Sequence, residues 1–169
     1  MLYPSIRDVR IRTRRALLDE REYSRWIEMA RRTLDSSKRD LDGGDYNWAC
    51  FKAQQSAEYA LKGLLYGLGI IARNRSLVNL LSKLPEELPT AGIMHVAKSL
   101  DKHYLLTRYT SAWIEGVPAN YYTRQDAREA ISYASLVIKW VEEQWIFLRS
   151  GDGKKRVGEI GSEDRERLG

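Results

Sequence analysis

Tyr46-Asn-Trp-Ala-Cys-Phe-Lys-Ala-Gln-Gln-Ser-Ala-Glu-Tyr-Ala-Leu-Lys-Gly-Leu-Leu-Tyr66 reads as one long helix. Cys50, Gln54, Ala57, Leu61, Leu64 and Leu68 recur by steps of three and four and form a mainly apolar stripe. Phe51, Gln55, Glu58 and Lys62 form the neighbouring stripe, which mixes charge with an aromatic ring. Glu58 and Lys62 stand four residues apart, the spacing of an exposed ion pair worth about 0.2–0.5 kcal/mol. One reading of that stripe is an ordinary solvated face; the other is a site or a subunit contact.

Working outward, helical spacing covers most of the chain. Tyr23, Ile27, Ala30, Leu34 and Leu41 predict a helix over 20–41, stopped by Asp42-Gly43-Gly44-Asp45 because glycine enters left-handed conformations readily. Asp45 is placed to cap the next helix, over 46–68, which Gly67 and Gly69 terminate. Ser76 caps a short third helix carrying Leu77, Leu80, Leu81 and Leu84, with Pro85 and Pro89 beyond it. Ile93, Val96, Ala97, Leu100 and Tyr104 predict helix over 90–105, followed by a loop over 106–122. Thr123 and Asp126 have the form of a capping box, and Ala127, Ala130, Ala134, Val137, Val141, Trp145 and Leu148 mark a long last helix. No strand-like alternation and no internal repeat stand out. The expected fold is therefore all-α, an antiparallel up-and-down bundle of four to five helices joined by short connections.

Composition supports one such domain, since the 169 residues are 43% hydrophobic. The expected division is a basic N-terminal arm over 1–19, the bundle over 20–149 and a flexible charged tail over 150–169, rich in Gly151, Gly153, Gly158 and Gly161. The net charge of +5 is uneven: Arg7, Arg10, Arg12, Arg14 and Arg15 are opposed only by Asp8. Such an arm attracts RNA by neutralising phosphates, or else is a solvated leader or a contact for a partner. Cys50 is the single cysteine, which excludes an internal disulfide and a cysteine-based zinc site and leaves a small core residue. No apolar run approaches membrane-spanning length, and Arg7, Asp8 and Arg10 stand where a signal peptide needs apolar residues, so a cytoplasmic protein without a membrane is expected. His95, His103 and the scattered carboxylates show none of the usual metal spacings, and there is neither a serine triad nor a phosphate-cradling glycine loop. No catalytic residue, metal or cofactor is assigned.

A second cluster lies at Leu100-Asp-Lys-His-Tyr-Leu-Leu-Thr-Arg-Tyr109. His103 exchanges protons near neutral pH, and Arg108 can grip phosphate oxygens with parallel hydrogen bonds. Tyr104, Tyr109, Trp113, Tyr121 and Tyr122 supply aromatic faces for a base beside that phosphate. The opposing reading is that the rings anchor the loop while Arg108 pairs with Asp101 or Glu58.

Four pieces together resemble the HEPN family, the helical domain named for higher eukaryotes and prokaryotes nucleotide-binding: the 45–62 stretch, Ser76-Leu-Val-Asn-Leu-Leu81, the 100–109 cluster, and Tyr122-Thr-Arg-Gln-Asp-Ala127. The resemblance implies an up-and-down bundle, frequent homodimers and, in many cases, a minimal nucleotidyltransferase as partner. Many members are metal-independent ribonucleases in which an Arg precedes a His by four to six intervening residues. This chain lacks that motif, because Arg73 and Arg75 lie too far before either histidine and Arg108 follows both. Some relatives also carry Gly-His-Ser-Leu where this chain has Asn74-Arg75-Ser76-Leu77. It therefore resembles a non-nuclease branch marked by Thr107-Arg108-Tyr109. The resemblance implies a ligand site with Arg108 on phosphate, Lys102 and His103 as polar contacts, and Tyr104 or Tyr109 as stacking surface. Asp101, Thr107, Glu58 and Lys62 complete the expected set. Three functions follow as expectations: a nucleotide-binding accessory subunit of a nucleotidyltransferase, a toxin-like ribonuclease with a rearranged His/Arg site, or a purely structural dimerisation module.

Overall fold

The structure is a computed structural model that describes residues 18–150; most of the basic arm and the tail lie outside them. Five α-helices order the described chain: α1 (Glu20–Gly43), α2 (Tyr46–Gly67), α3 (Leu77–Ser82), α4 (Met94–Asp101) and α5 (Arg124–Ser150). No strand interrupts them among the described residues.

α1 starts at Asp19, whose carboxylate accepts from the Glu22 N–H at 2.9 Å. The backbone N–H of Asp19 donates to the Gly67 carbonyl at 2.8 Å, which ties the start of α1 to the end of α2. Tyr23, Ile27, Ala30, Leu34 and Ser37 form its buried face. Gly44, at φ 84°, ends the helix in the left-handed conformation and turns the chain straight into α2. Asp45 does not cap α2 with its side chain, contrary to the sequence expectation. Its carboxylate is turned back toward the end of α1, with Oδ2 3.8 Å from where a Cβ on Gly43 would sit.

α2 is the central rod, packed against α1 on one side and α5 on the other. Ala49, Ala53, Ala57 and Ala60 are fully buried and let the helices approach closely. Two buried hydroxyls pin α1 and α2 together: Ser37 Oγ donates to the Ala49 carbonyl at 2.6 Å and Ser56 Oγ to the Ala30 carbonyl at 2.8 Å. Leu61, Leu64 and Leu65 fill the core beside them, each side chain contributing about 1.5–3 kcal/mol by leaving water. On α5 the expected seam is buried from Ala127 to Trp145, and the Thr123–Asp126 box forms as expected. Thr123 N donates to Asp126 at 2.7 Å, and Asp126 N donates back to Thr123 Oγ1 at 3.2 Å.

The fourth helix is shorter than its spacing predicts. Thr90–Ile93 is a 3-10 turn, α4 ends at Asp101, and residues 102–108 form a series of turns. Those turns are closed by local bonds that compete with a helix: Thr107 Oγ1 donates to the His103 carbonyl at 2.7 Å and Arg108 Nε to the Tyr104 carbonyl at 3.0 Å. The expected loop over 106–122 contains two 3-10 turns, Thr110–Ala112 and Pro118–Asn120. Trp113 stacks on Tyr121 with ring centroids 4.2 Å apart, so the loop is packed on itself. No described helix is long and apolar enough to cross a membrane.

Candidate functional site

The polar members of the mixed stripe of α2 are buried and Phe51 is half-buried, which corrects the solvated-face reading. Glu58 is 1% exposed, and Gln55 and Lys62 are buried beside it. Lys62 Nζ donates to Glu58 Oε1 at 2.7 Å, and Gln55 Nε2 donates to Glu58 Oε2 at 3.0 Å and to Gln54 Oε1 at 2.6 Å. Gln54 Nε2 reaches the Arg75 carbonyl at 3.1 Å, linking this interior chain of polar groups to the loop before α3. A charge taken out of water persists only where it is paired and hydrogen-bonded, and these contacts meet that requirement.

From the far side of the stripe, Arg75 and Arg108 approach. Arg75 Nη1 lies 3.9 Å from Glu58, the outer limit of an ion pair, and its guanidinium stands 5.7 Å from the Tyr104 ring centre. Arg108 stands 4.1 Å from the Phe51 ring centre, 4.7 Å from that of Tyr104 and 5.1 Å from that of Tyr109. Its Nε and Nη2 both donate to the Tyr104 carbonyl, which sets the plane of the guanidinium. The expectation that Arg108 pairs with Asp101 or Glu58 is not met; its partners are a carbonyl and three rings. The two remote stretches do converge: Glu58 and Lys62 reach Arg108 through Arg75 and Tyr104.

The other expected site residues part company with this cluster. Asp101 caps α3, accepting from Ser76 Oγ at 2.7 Å, Leu77 N at 2.7 Å and Val78 N at 3.3 Å. A carboxylate at a helix N-terminus meets the unpaired N–H groups and the positive end of the dipole, so its role is structural. Thr107 is fully buried, and its carbonyl accepts from Asn47 Nδ2 at 3.0 Å. Lys102 is exposed. The His103 ring faces Tyr122, with Nδ1 3.2 Å from its hydroxyl. Burial lowers the His103 pKa below the usual 6.5, and Lys102 adds to that while Asp126 opposes it. Burial also pushes the Cys50 thiol up to about 12, as befits an inert core residue.

Sequence reading misses Arg75 and Gln54. It weighs Arg75 only against a ribonuclease motif and a histidine that it replaces, and it counts Gln54 within the apolar stripe. The legible signal is the pair Gln54-Gln55, two adjacent amides on a helix with almost no solvated surface. Among the described residues, no group of three His, Cys, Asp or Glu side chains could hold a metal ion.

Comparison with known proteins agrees with this architecture. The HEPN domain profile matches residues 23–144. The crystal structure of TT1696 from Thermus thermophilus is similar, with 43% identity and a TM-score of 0.70 over 72% of this chain and 96% of that one. ST0689, an archaeal HEPN homologue, is 41% identical with a TM-score of 0.62 over 72% of this chain and 96% of its own. MJ1304 of Methanocaldococcus jannaschii, whose name proposes a toxin, is 24% identical over 142 residues, 78% of this chain and 91% of its own. With the helical bundle, the matched span and these relatives in agreement, the chain belongs to the HEPN domain family.

Proposed function

We propose that the protein is a non-cleaving accessory subunit that binds a nucleotide at Arg108 and acts, as a homodimer, with a minimal nucleotidyltransferase. The observation that carries this reading is the Arg108 guanidinium, half-buried on a bed of Phe51, Tyr104 and Tyr109 rings. A guanidinium so seated is oriented in advance and still holds the Nη1 edge for a phosphate, while the exposed Tyr109 ring offers a face for a base. Glu58 is one carboxylate against the three cations Lys62, Arg75 and Arg108, so the cluster favours an anion. Phosphodiester cleavage needs a proton-moving group beside the gripped phosphate. His103 is turned instead to the Tyr122 hydroxyl. Leu105, Leu106, Ile114, Val117 and Tyr121 expose apolar surface around Arg108 and on the segment beyond it, which supports a protein partner or second copy there.

Calorimetric titration with AMP and ADP tests the ligand. Saturable binding by wild type, lost in Arg108→Ala, is the expected outcome, and equal binding by that variant would end the proposal. Co-purification with a minimal nucleotidyltransferase tests the partner, and failure to co-purify would remove that part of the proposal. The ribonuclease reading draws on the toxin proposed in the name of the M. jannaschii relative. Cleavage of labelled RNA by wild type, abolished in His103→Ala, would establish it in place of the accessory role.

A further inference from the structure

Arg75 is the cation whose charge the fold leaves most available at this site. Its side chain is 57% exposed, and Glu58 lies 3.9 Å away. That carboxylate already receives Lys62 at 2.7 Å and Gln55 at 3.0 Å, so it neutralises the nearer ammonium first. Yet the Arg75 main chain is fixed. Gln54 holds its carbonyl, and the next residue, Ser76, is tied to Asp101. Its guanidinium stands over the same Tyr104 ring as that of Arg108. Two guanidinium groups thus stand beside one tyrosine ring, that of Arg108 fixed by the Tyr104 carbonyl and that of Arg75 carried on a fixed main chain, each with N–H groups that no protein carboxylate claims closely. A guanidinium matches one phosphate through two parallel N–H donors. Two of them on one ring match two phosphates joined to each other better than one phosphate alone.

We infer that Arg75 and Arg108 act as a pair that takes two linked phosphates, with Arg108 reading the phosphate next to the nucleoside and Arg75 the one beyond it. The site then selects a nucleoside diphosphate over a monophosphate. Glu58 is a positioning residue in this arrangement. Its nearer bond to Lys62 keeps Arg75 from collapsing into a tight ion pair. The inference rests on the nucleotide reading of the Arg108 site.

Two linked phosphates occur in a free nucleoside diphosphate, and phosphates in series also occur along an RNA backbone, so the titration uses AMP, ADP and a short single-stranded RNA. Wild type is expected to bind ADP about tenfold more tightly than AMP. Arg75→Ala weakens ADP by a larger factor than AMP and so removes most of that preference, Arg75→Lys retains part of it, and Arg108→Ala weakens both nucleotides. Tighter binding of the RNA than of ADP would overturn the diphosphate assignment, because successive backbone phosphates are separated by a ribose and are not joined to each other. If Arg75→Ala keeps the ADP preference, or weakens AMP and ADP equally, the pair is wrong while nucleotide binding stands. If wild type binds none of the three, the nucleotide reading falls and the pair with it. Arg75 is exposed, so its variants are expected to melt as wild type does, which separates a lost contact from a lost fold.

Discussion

At the scale of single residues, His103 shows how burial reassigns a side chain. In the sequence it stands beside Lys102 and Arg108 as a polar contact; in the fold its ring lies against Tyr122, and burial favours its neutral form. The consequence for stability has a definite sign. A histidine whose folded-state pKa is depressed takes up its proton more readily in the unfolded chain, so stability falls as pH drops below 6.5 and through the folded-state value. Above 6.5 this contribution is fully present. Chemical denaturation of wild type and His103→Gln across this range is expected to give a shallower fall with acid in the variant, since glutamine carries no titrating proton. Parallel curves would mean that the His103 ring is as accessible to protons folded as unfolded. Carboxylates contribute equally to both curves, so only the difference between them reports on His103.

At the scale of elements, the close contact of α1, α2 and α5 depends on absent side chains. A Cβ on Gly67 would lie 2.6 and 2.7 Å from Trp145 ring atoms and 3.1 Å from Tyr23 Cβ. Those two rings stack with centroids 4.0 Å apart, so neither can move without the other. Gly67→Ala gains up to about 1 kcal/mol of helix propensity but incurs about 1–3 kcal/mol of overpacking. A net loss, read as a lowered melting temperature, is expected, whereas Gly92→Ala, with nothing within 4 Å of its Cβ, is expected to be neutral. This also marks how far the sequence is readable. Helices, their order and the Gly44 stop follow from period and turn chemistry, because those are local. Gly67 reads in the sequence as a helix terminator, and α2 does end there; that it also admits Trp145 depends on a residue far along the chain. The same distance hides the site. Period places Phe51, Gln55, Glu58 and Lys62 on one stripe correctly but cannot tell solvent from cover brought by distant residues such as Arg75 beside Glu58 and Tyr104 beside Phe51. Asp101 looks like a ligand because its partners, the first N–H groups of α3, are donors that every helix has.

At the scale of the whole molecule, two levels of attachment are built in. α1, α2 and α5 share the long buried face, whereas α3 and α4 are short and rest on them through fewer contacts. Asp101 joins the two short helices to each other, and the Gln54 bond to the Arg75 carbonyl joins their entry loop to α2. Removing the carboxylate in Asp101→Ala leaves Leu77 N and Ser76 Oγ without their acceptor, at a cost of about 1–3 kcal/mol for groups that are only partly buried. That loss falls on the α3–α4 unit and leaves the contacts among α1, α2 and α5 intact, so it is expected to appear as local opening. Hydrogen exchange should quicken at amides 77–82 and 94–101 while the slowest amides, in α2, keep their rates in exchange limited by sub-global opening. Asp101→Asn, which retains one acceptor oxygen, should fall between the two. Equal acceleration in α2 would instead make the bundle a single cooperative unit. Arg75 and Tyr104 flank α3 and α4, so the opening that Asp101 restrains would also displace both from the Arg108 site.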